Sequence, residues 1–275
     1  MSICFIGGGN MASAMIGGLL KRGFAKEQIS VVEIDKANHQ RLIAKYGIVV
    51  LAEQDQQTIR KCDVVVLAVK PQQMKAVAIQ LGPNLSAGTI VLSIAAGIRL
   101  NDLARWLQNQ GAGYAMVRAM PNTPALVGAG MTGLYSFPPL NEQQRIHVEE
   151  VMRATGAFVW INSEEDMDAV TAVSGSGPAY FFYFIEALEQ AGKELGLPEQ
   201  TARKLALETA FGAAKLACEG AEDPAALRSR VTSKNGTTER ALLSMDANHV
   251  KQHIITAVKA AAARSREMGD ELGKA

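Results

Sequence analysis

The sequence predicts an α/β chain in which a doubly wound parallel sheet over residues 1–162 is followed by an all-α domain over residues 163–275. Three observations carry this prediction. Ser2–Ile6 reads as a short buried strand that runs straight into Gly7-Gly8-Gly9-Asn10-Met11-Ala12, a G-x-G-x-x-A turn, and then into the apolar-periodic stretch Ala14–Leu20. Strand and helix signals then alternate up to about residue 160. Beyond Asn162 no convincing strand signal remains and helix formers dominate.

The order strand, glycine turn, helix is what gives the glycine spacing meaning. Gly7 allows the tight turn, Gly9 lets the backbone approach a pyrophosphate, and Ala12 lets the helix pack close to the strand. The free N–H groups and positive end of the new helix then face a phosphate. Next come a strand over 29–34 and a helix over 36–46, with Asp35 as its N-cap. Val64–Val69 is an unbroken apolar run rich in β-branched residues and stopped by Lys70-Pro71, the pattern of a strand covered on both faces. Thr89–Ile94 is a further strand, Leu100–Gln110 a helix, Tyr114–Arg118 an extended segment and Ala157–Ile161 the last strand. In a sheet of this kind ligands bind at the carboxyl ends of the strands.

In the second domain the expected helices are 165–173, 178–195, 199–218, 224–230, 237–245 and 247–268, with Pro198 and Pro224 in first-turn positions. Tyr180-Phe181-Phe182-Tyr183-Phe184-Ile185 lies inside one of them and covers every face of a helix with apolar side chains. A helix apolar all round must be buried all round, and a small helical domain offers little interior for that. The expectation is a helix packed between subunits of a homodimer or larger homo-oligomer.

Composition narrows the function. The chain has 275 residues, 48% of them hydrophobic, and a net charge of +1. No Lys/Arg run supplies the basic face that a nucleic-acid partner needs. The longest apolar runs are far too short for a bilayer, and Met1 leads at once into the first strand, so a cytoplasmic protein with no membrane partner is expected. Cys4, Cys62 and Cys218 form neither a disulfide framework nor a C-x-x-C pair. His249 and His253 have helical metal spacing but no carboxylate between them, so no metal site is expected.

Several segments carry chemistry. Glu33, twenty-one residues after Ala12, stands where a carboxylate would accept hydrogen bonds from the adenosine ribose, with Asp35 on the same face. Such an acid repels a 2′-phosphate, so NADH is expected to serve at least as well as NADPH. Ala68-Val69-Lys70-Pro71 ends a central strand and exposes carbonyls toward a dinucleotide. Ala95-Ala96-Gly97 leaves room for a nicotinamide at the next strand end, and Met120-Pro121-Asn122 borders it from a rigid loop. Ser176 lies in Ser174-Gly175-Ser176-Gly177-Pro178, where one helix breaks and another starts. Val231-Thr232-Ser233-Lys234-Asn235-Gly236-Thr237-Thr238 combines four hydroxyls, an Asn-Gly pair and a helix start, a loop suited to a small carboxylate.

Six of these segments in order, F-I-G-G-G-N-M (5–11), A-V-K-P (68–71), S-I-A-A-G (93–97), R-A-M-P-N-T-P (118–124), S-G-S-G-P-A-Y (174–180) and V-T-S-K-N-G-T-T (231–238), resemble the pyrroline-5-carboxylate reductase family over nearly the whole chain. The resemblance implies a Rossmann domain, a helical dimerisation domain, NADH or NADPH as cofactor, pyrroline-5-carboxylate as substrate and L-proline as product. Lys234-Asn235 departs from the family loop's Pro-Gly, and Asn tolerates the left-handed backbone that such a loop uses. Under this reading Gly7, Gly8, Gly9, Asn10, Met11, Glu33, Ala68, Val69, Lys70, Pro71, Ala95, Ala96, Gly97, Met120, Pro121 and Asn122 hold the dinucleotide. Ser233, Asn235, Gly236, Thr237 and Thr238 hold the substrate, and Thr238, then Ser233, then Ser176 are candidates for a hydroxyl near the imine nitrogen.

Two other readings compete. One is a related imine or β-hydroxyacid reductase of the same plan; hydroxyacid reductases of that type generally use a lysine of the helical domain as acid, but Lys193, Lys204 and Lys215 fall on solvent-facing helix positions. A silent dinucleotide sensor would have no use for a hydroxyl-rich anion loop. NADH oxidation with pyrroline-5-carboxylate separates all three.

Overall fold

The structure, a computed structural model, describes residues 1–108 and 114–274. The end of the helix expected to reach Gln110 and the terminal Ala275 lie outside the described residues. The first half builds β1 (Ile3–Ile6), α1 (Asn10–Lys21), β2 (Ile29–Val32), α2 (Lys36–Tyr46), β3 (Val49–Leu51), α3 (Gln56–Ile59), β4 (Val64–Leu67), α4 (Met74–Leu81), β5 (Ile90–Ser93), α5 (Leu100–Trp106), β6 (Ala115–Met120), β7 (Gly130–Phe137), α6 (Glu142–Arg153) and β8 (Gly156–Trp160). The strands form one sheet in the order β3-β2-β1-β4-β5-β6-β7-β8. Its order reverses between β1 and β4, which puts a crevice at their carboxyl ends.

β1, β2, β4 and β5 are buried along their whole length, as strands covered on both faces of a sheet are. Alternate residues feed two cores: Ile3, Phe5, Val64 and Val66 pack with Met15, Ile16 and Leu19 of α1, while Cys4, Ile6, Val65 and Leu67 pack with Met74, Ala78 and Leu81 of α4. Each fully buried side chain of this size contributes about 1.5–3 kcal/mol relative to an exposed one. The sheet departs from the all-parallel expectation at one place: β7 runs antiparallel to β6, and β8 runs parallel to β7.

The second half contains α7 (Met167–Val170), a π turn over Thr171–Gly175, α8 (Gly177–Glu194), α9 (Glu199–Glu219), α10 (Pro224–Arg230), α11 (Thr237–Ala247) and α12 (Val250–Lys274). The contacts divide the chain into Met1–Ser176 with Ala261–Ala275, and Gly177–Ala260. This division falls later than residues 162/163 and returns the chain end to the first unit. Side-chain chemistry explains it. Glu164 accepts from the Leu100 N–H at 2.8 Å and pairs with the buried Arg118 at 3.1 Å. Ser265 donates to Asp168 at 2.6 Å, and Arg99 pairs with Asp270 at 2.7 Å.

Within the helical unit, Phe181, Phe182, Tyr183 and Phe184 of α8 are 47–77% exposed. Four adjacent aromatic side chains in water would each forfeit a burial worth about 1.5–3 kcal/mol, so a partner surface is required. Light scattering at micromolar concentration is expected to give at least the mass of a dimer, and a monomer mass would refute it.

Candidate active site

The glycine turn opens at the crevice. The Gly7 N–H donates to the Val32 carbonyl at 2.9 Å, and Gly7 takes φ +98, a backbone conformation that favours glycine. Gly9 is the N-cap of α1, so the first-turn amides of α1 have no partner within the helix. Gly7, Gly8, Gly9, Glu33, Ala68, Val69 and Lys70 line one cavity of about 460 Å³, together with Ile34, Asp35, Glu53, Gln54 and Val77. Asn10 and Met11 sit in the first turn of α1, and Pro71 opens the short 3₁₀ turn Pro71–Gln73 after β4.

The residues fit a dinucleotide on two counts. A Cβ on Gly9 would meet nothing within 4 Å, so the turn leaves open space beside free amides. Gln54, whose amide nitrogen donates to the Val77 carbonyl at 3.4 Å, keeps a buried Oε1 with no partner among the described residues. An orphaned acceptor in the wall of a cavity is a group waiting for a donor.

Glu33 lines this cavity, yet its carboxylate is turned to the backbone. Oε2 accepts from the Gly8 N–H at 3.0 Å and from Asn38 Nδ2 at 2.6 Å, and Oε1 accepts from the Asp35 N–H at 2.9 Å. Asp35 caps α2 through the Asn38 N–H at 2.8 Å and remains exposed, as does Glu53. Sequence reasoning missed Asn38 and Arg41, whose contacts with the turn depend on how α2 docks.

The ends of β5 and β6 are the next strand ends along. Ala95 and Gly97 are buried, and Gly97 takes φ +75 beside Leu272. Asn122 spends its side chain on the scaffold: Oδ1 accepts from the Met131 N–H at 2.9 Å, and Nδ2 donates to the Ser174 carbonyl at 3.1 Å. A Cβ on Gly175 would lie 2.5 Å from Met120 Cε, so these two touch. Pro121 is buried next to them. Ser176 N–H donates to Thr171 across the π turn, at 2.8 Å. Thus Met120, Asn122 and the 174–176 segment meet, tied by bonds that sequence spacing does not show.

The anion loop belongs to the helical unit. Gly236 is the N-cap of α11, which places the Thr237 and Thr238 amides in its open first turn. Asn235 has φ 60, in the left-handed region anticipated for it, and its N–H donates to Glu239 at 2.6 Å. The Gly236 N–H closes a turn onto the Ser233 carbonyl at 3.0 Å. Thr232 donates to the Arg228 carbonyl at 2.7 Å and is therefore structural. Among the described residues the Ser233 and Thr238 hydroxyls make no hydrogen bond. Lys193 and Lys215 are paired along their helices with Glu189 and Glu219, which leaves neither shaped as a buried acid.

Among the described residues no cluster of His, Cys, Asp and Glu has metal-holding geometry, and no helix is long and apolar enough to cross a membrane.

Two family models match. Residues 164–268 match pyrroline-5-carboxylate reductase dimerisation, and residues 2–97 match NADP oxidoreductase coenzyme F420-dependent. A pyrroline-5-carboxylate reductase of Pseudomonas aeruginosa is 43% identical over 272 residues, which is 99% of this chain and 98% of that protein. The structure of a pyrroline-5-carboxylate reductase from Coxiella burnetii superposes with a TM-score of 0.90 at 39% identity, covering 97% and 98% of the two chains. That of Plasmodium falciparum pyrroline carboxylate reductase with NADP bound gives a TM-score of 0.84 at 30% identity, covering 98% of each.

Proposed function

The chain belongs to the pyrroline-5-carboxylate reductase family, and from that membership we propose how its residues divide the work. The reaction reduces the cyclic imine 1-pyrroline-5-carboxylate to L-proline, the last step of proline biosynthesis, with NADH or NADPH as the hydride source. The protein is a homo-oligomer built through its helical domain. The observation that carries the assignment of roles is the glycine turn: free amides at a helix start, open space at Gly9, and a crevice where the strand order reverses.

We assign residues 1–162 to dinucleotide binding and 163–275 to dimerisation and substrate binding, in a cytoplasmic enzyme. Gly7–Met11 receive the pyrophosphate, Ala68–Pro71 border the dinucleotide, and Ala95–Gly97 with Met120–Asn122 border the nicotinamide. When bound, the dinucleotide would supply a hydride to the imine carbon, C2 of the 1-pyrroline ring, which becomes Cδ of L-proline. The protein has little covalent work to do, since protonation of the imine nitrogen already makes the ring an iminium ready for hydride. The substrate carboxylate is held by the Thr237 and Thr238 amides, with Ser233, Asn235 and Gly236 shaping the loop; a helix start contributes about 1 kcal/mol to such an anion beyond the direct hydrogen bonds. The Thr238 hydroxyl is the first candidate to orient the imine nitrogen or pass it a proton through water, ahead of Ser233 and Ser176.

NADH oxidation with pyrroline-5-carboxylate, with proline identified as product, tests this reading. Asp35 and Glu53, exposed on the cavity rim, disfavour a 2′-phosphate. The expected kcat/KM with NADH therefore equals or exceeds that with NADPH, and a tenfold advantage for NADPH would overturn the electrostatic argument.

A further inference from the structure

We propose that Glu33, Asn38 and Arg41 act together as a clamp on Gly8 that positions the phosphate-binding turn, and that Glu33 is not the residue that reads the ribose. The inference rests on the reading of this cavity as the dinucleotide site. Gly8 is gripped from both sides. Its N–H is taken by Glu33 Oε2 at 3.0 Å. Its carbonyl accepts from Asn38 Nδ2 at 3.0 Å and from Arg41 Nη2 at 3.2 Å.

The three side chains also hold one another. Asn38 Nδ2 reaches Glu33 Oε2 at 2.6 Å, and Arg41 Nε reaches Asn38 Oδ1 at 2.8 Å. Arg41 Nη2 continues to Ser13 Oγ in α1 at 3.1 Å. The network joins α2, the turn and α1. Asn38 and Arg41 can both take part because residues three apart lie on one helix face. A Cβ on Gly8 would stand 2.4 Å from Leu42 Cδ1 and 3.0 Å from Glu33 Oε2, so the turn sits tight against this clamp.

The consequence is directional. In a trans peptide the N–H points opposite to the C=O. Drawing the Gly8 carbonyl toward α2 therefore aims the Gly9 N–H away from α2. The Glu33 carboxylate, buried and accepting three N–H groups, is spent on the backbone. A residue with this duty shapes the affinity for any dinucleotide and does not choose between them.

Calorimetric titration of the purified oligomer with NADH and with NADPH tests the clamp without turnover. Glu33→Gln and Arg41→Met are each expected to weaken both nucleotides at least threefold while the ratio of the two Kd values moves less than fivefold. Arg41→Lys, which keeps a donor near the Gly8 carbonyl, is expected to recover most of the loss of Arg41→Met. A ratio shifted fivefold or more in Glu33→Gln would make Glu33 the ribose reader and overturn the proposal. So would losses under threefold, or no rescue by lysine. Should Glu33→Gln not fold, the exposed Arg41 pair decides alone. A wild-type protein that binds neither nucleotide would instead fail the reading of the cavity itself.

Discussion

Replacing Gly7 by alanine is expected to raise the Kd for NADH at least thirtyfold. Gly7 has φ +98, which costs a residue with a Cβ about 1–2 kcal/mol. The new Cβ would also stand 2.8 Å from the Ala68 carbonyl oxygen and 3.0 Å from its carbon. Both are backbone atoms at the end of β4, so no rotamer change relieves the contact, and overpacking of this kind adds about 1–3 kcal/mol. Thirtyfold corresponds to about 2 kcal/mol, the low end of the sum. The turn must move away from β4, and it carries the phosphate-binding amides with it. Gly9→Ala is the informative partner variant. Gly9 has φ −65, and its Cβ would meet nothing within 4 Å, so folding stability should match wild type. A weaker NADH affinity in Gly9→Ala with unchanged Tm would then report the ligand's own close approach to that amide. A Gly7→Ala protein that binds NADH within threefold of wild type would show that the turn is not where the pyrophosphate lies.

These glycines were legible from the sequence because a strand, a tight turn and a helix start write their requirements locally. The same holds for α2, whose limits Lys36–Tyr46 and Asp35 cap follow from short-range signals alone. What escaped the sequence is set by tertiary contact. β7 carries Gly130 and Gly133, which weaken any strand pattern. Gly133 is needed because its Cβ would lie 2.5 Å from Val170 Cγ1 of α7. The antiparallel turn of the sheet therefore hides behind a packing constraint. α6 is the exception, because its start is written locally in the Asn141–Gln144 capping box. At the site, the limit is direction. Glu33 has the spacing of a ribose reader, but which way its carboxylate turns depends on Asn38 and on the docking of α2. Asn122 likewise has the right place in its loop, while its amide is committed to Met131 and Ser174.

Thr238→Ala should lower kcat/KM for pyrroline-5-carboxylate at least tenfold, about 1.4 kcal/mol of barrier. The variant separates two functions carried by one residue. Thr238 lies in the first turn of α11, where its amide is one of those left without a helical partner. Alanine keeps that amide and is a good helix former, so the grip on the substrate carboxylate survives. Only the hydroxyl is lost, and it makes no hydrogen bond to other described residues, so its removal breaks no scaffold contact. The loss should accordingly fall on kcat more than on KM, and Thr238→Ser should recover most of it. Thr232→Ala gives the contrasting case: its hydroxyl is bonded to the Arg228 carbonyl, so that substitution acts through the end of α10 and should appear in stability first. Steady-state kinetics within twofold of wild type for Thr238→Ala would remove this hydroxyl from the reaction. The role would then pass to Ser233 or Ser176, or to water alone, since an iminium needs a proton on nitrogen but no particular side chain to deliver it.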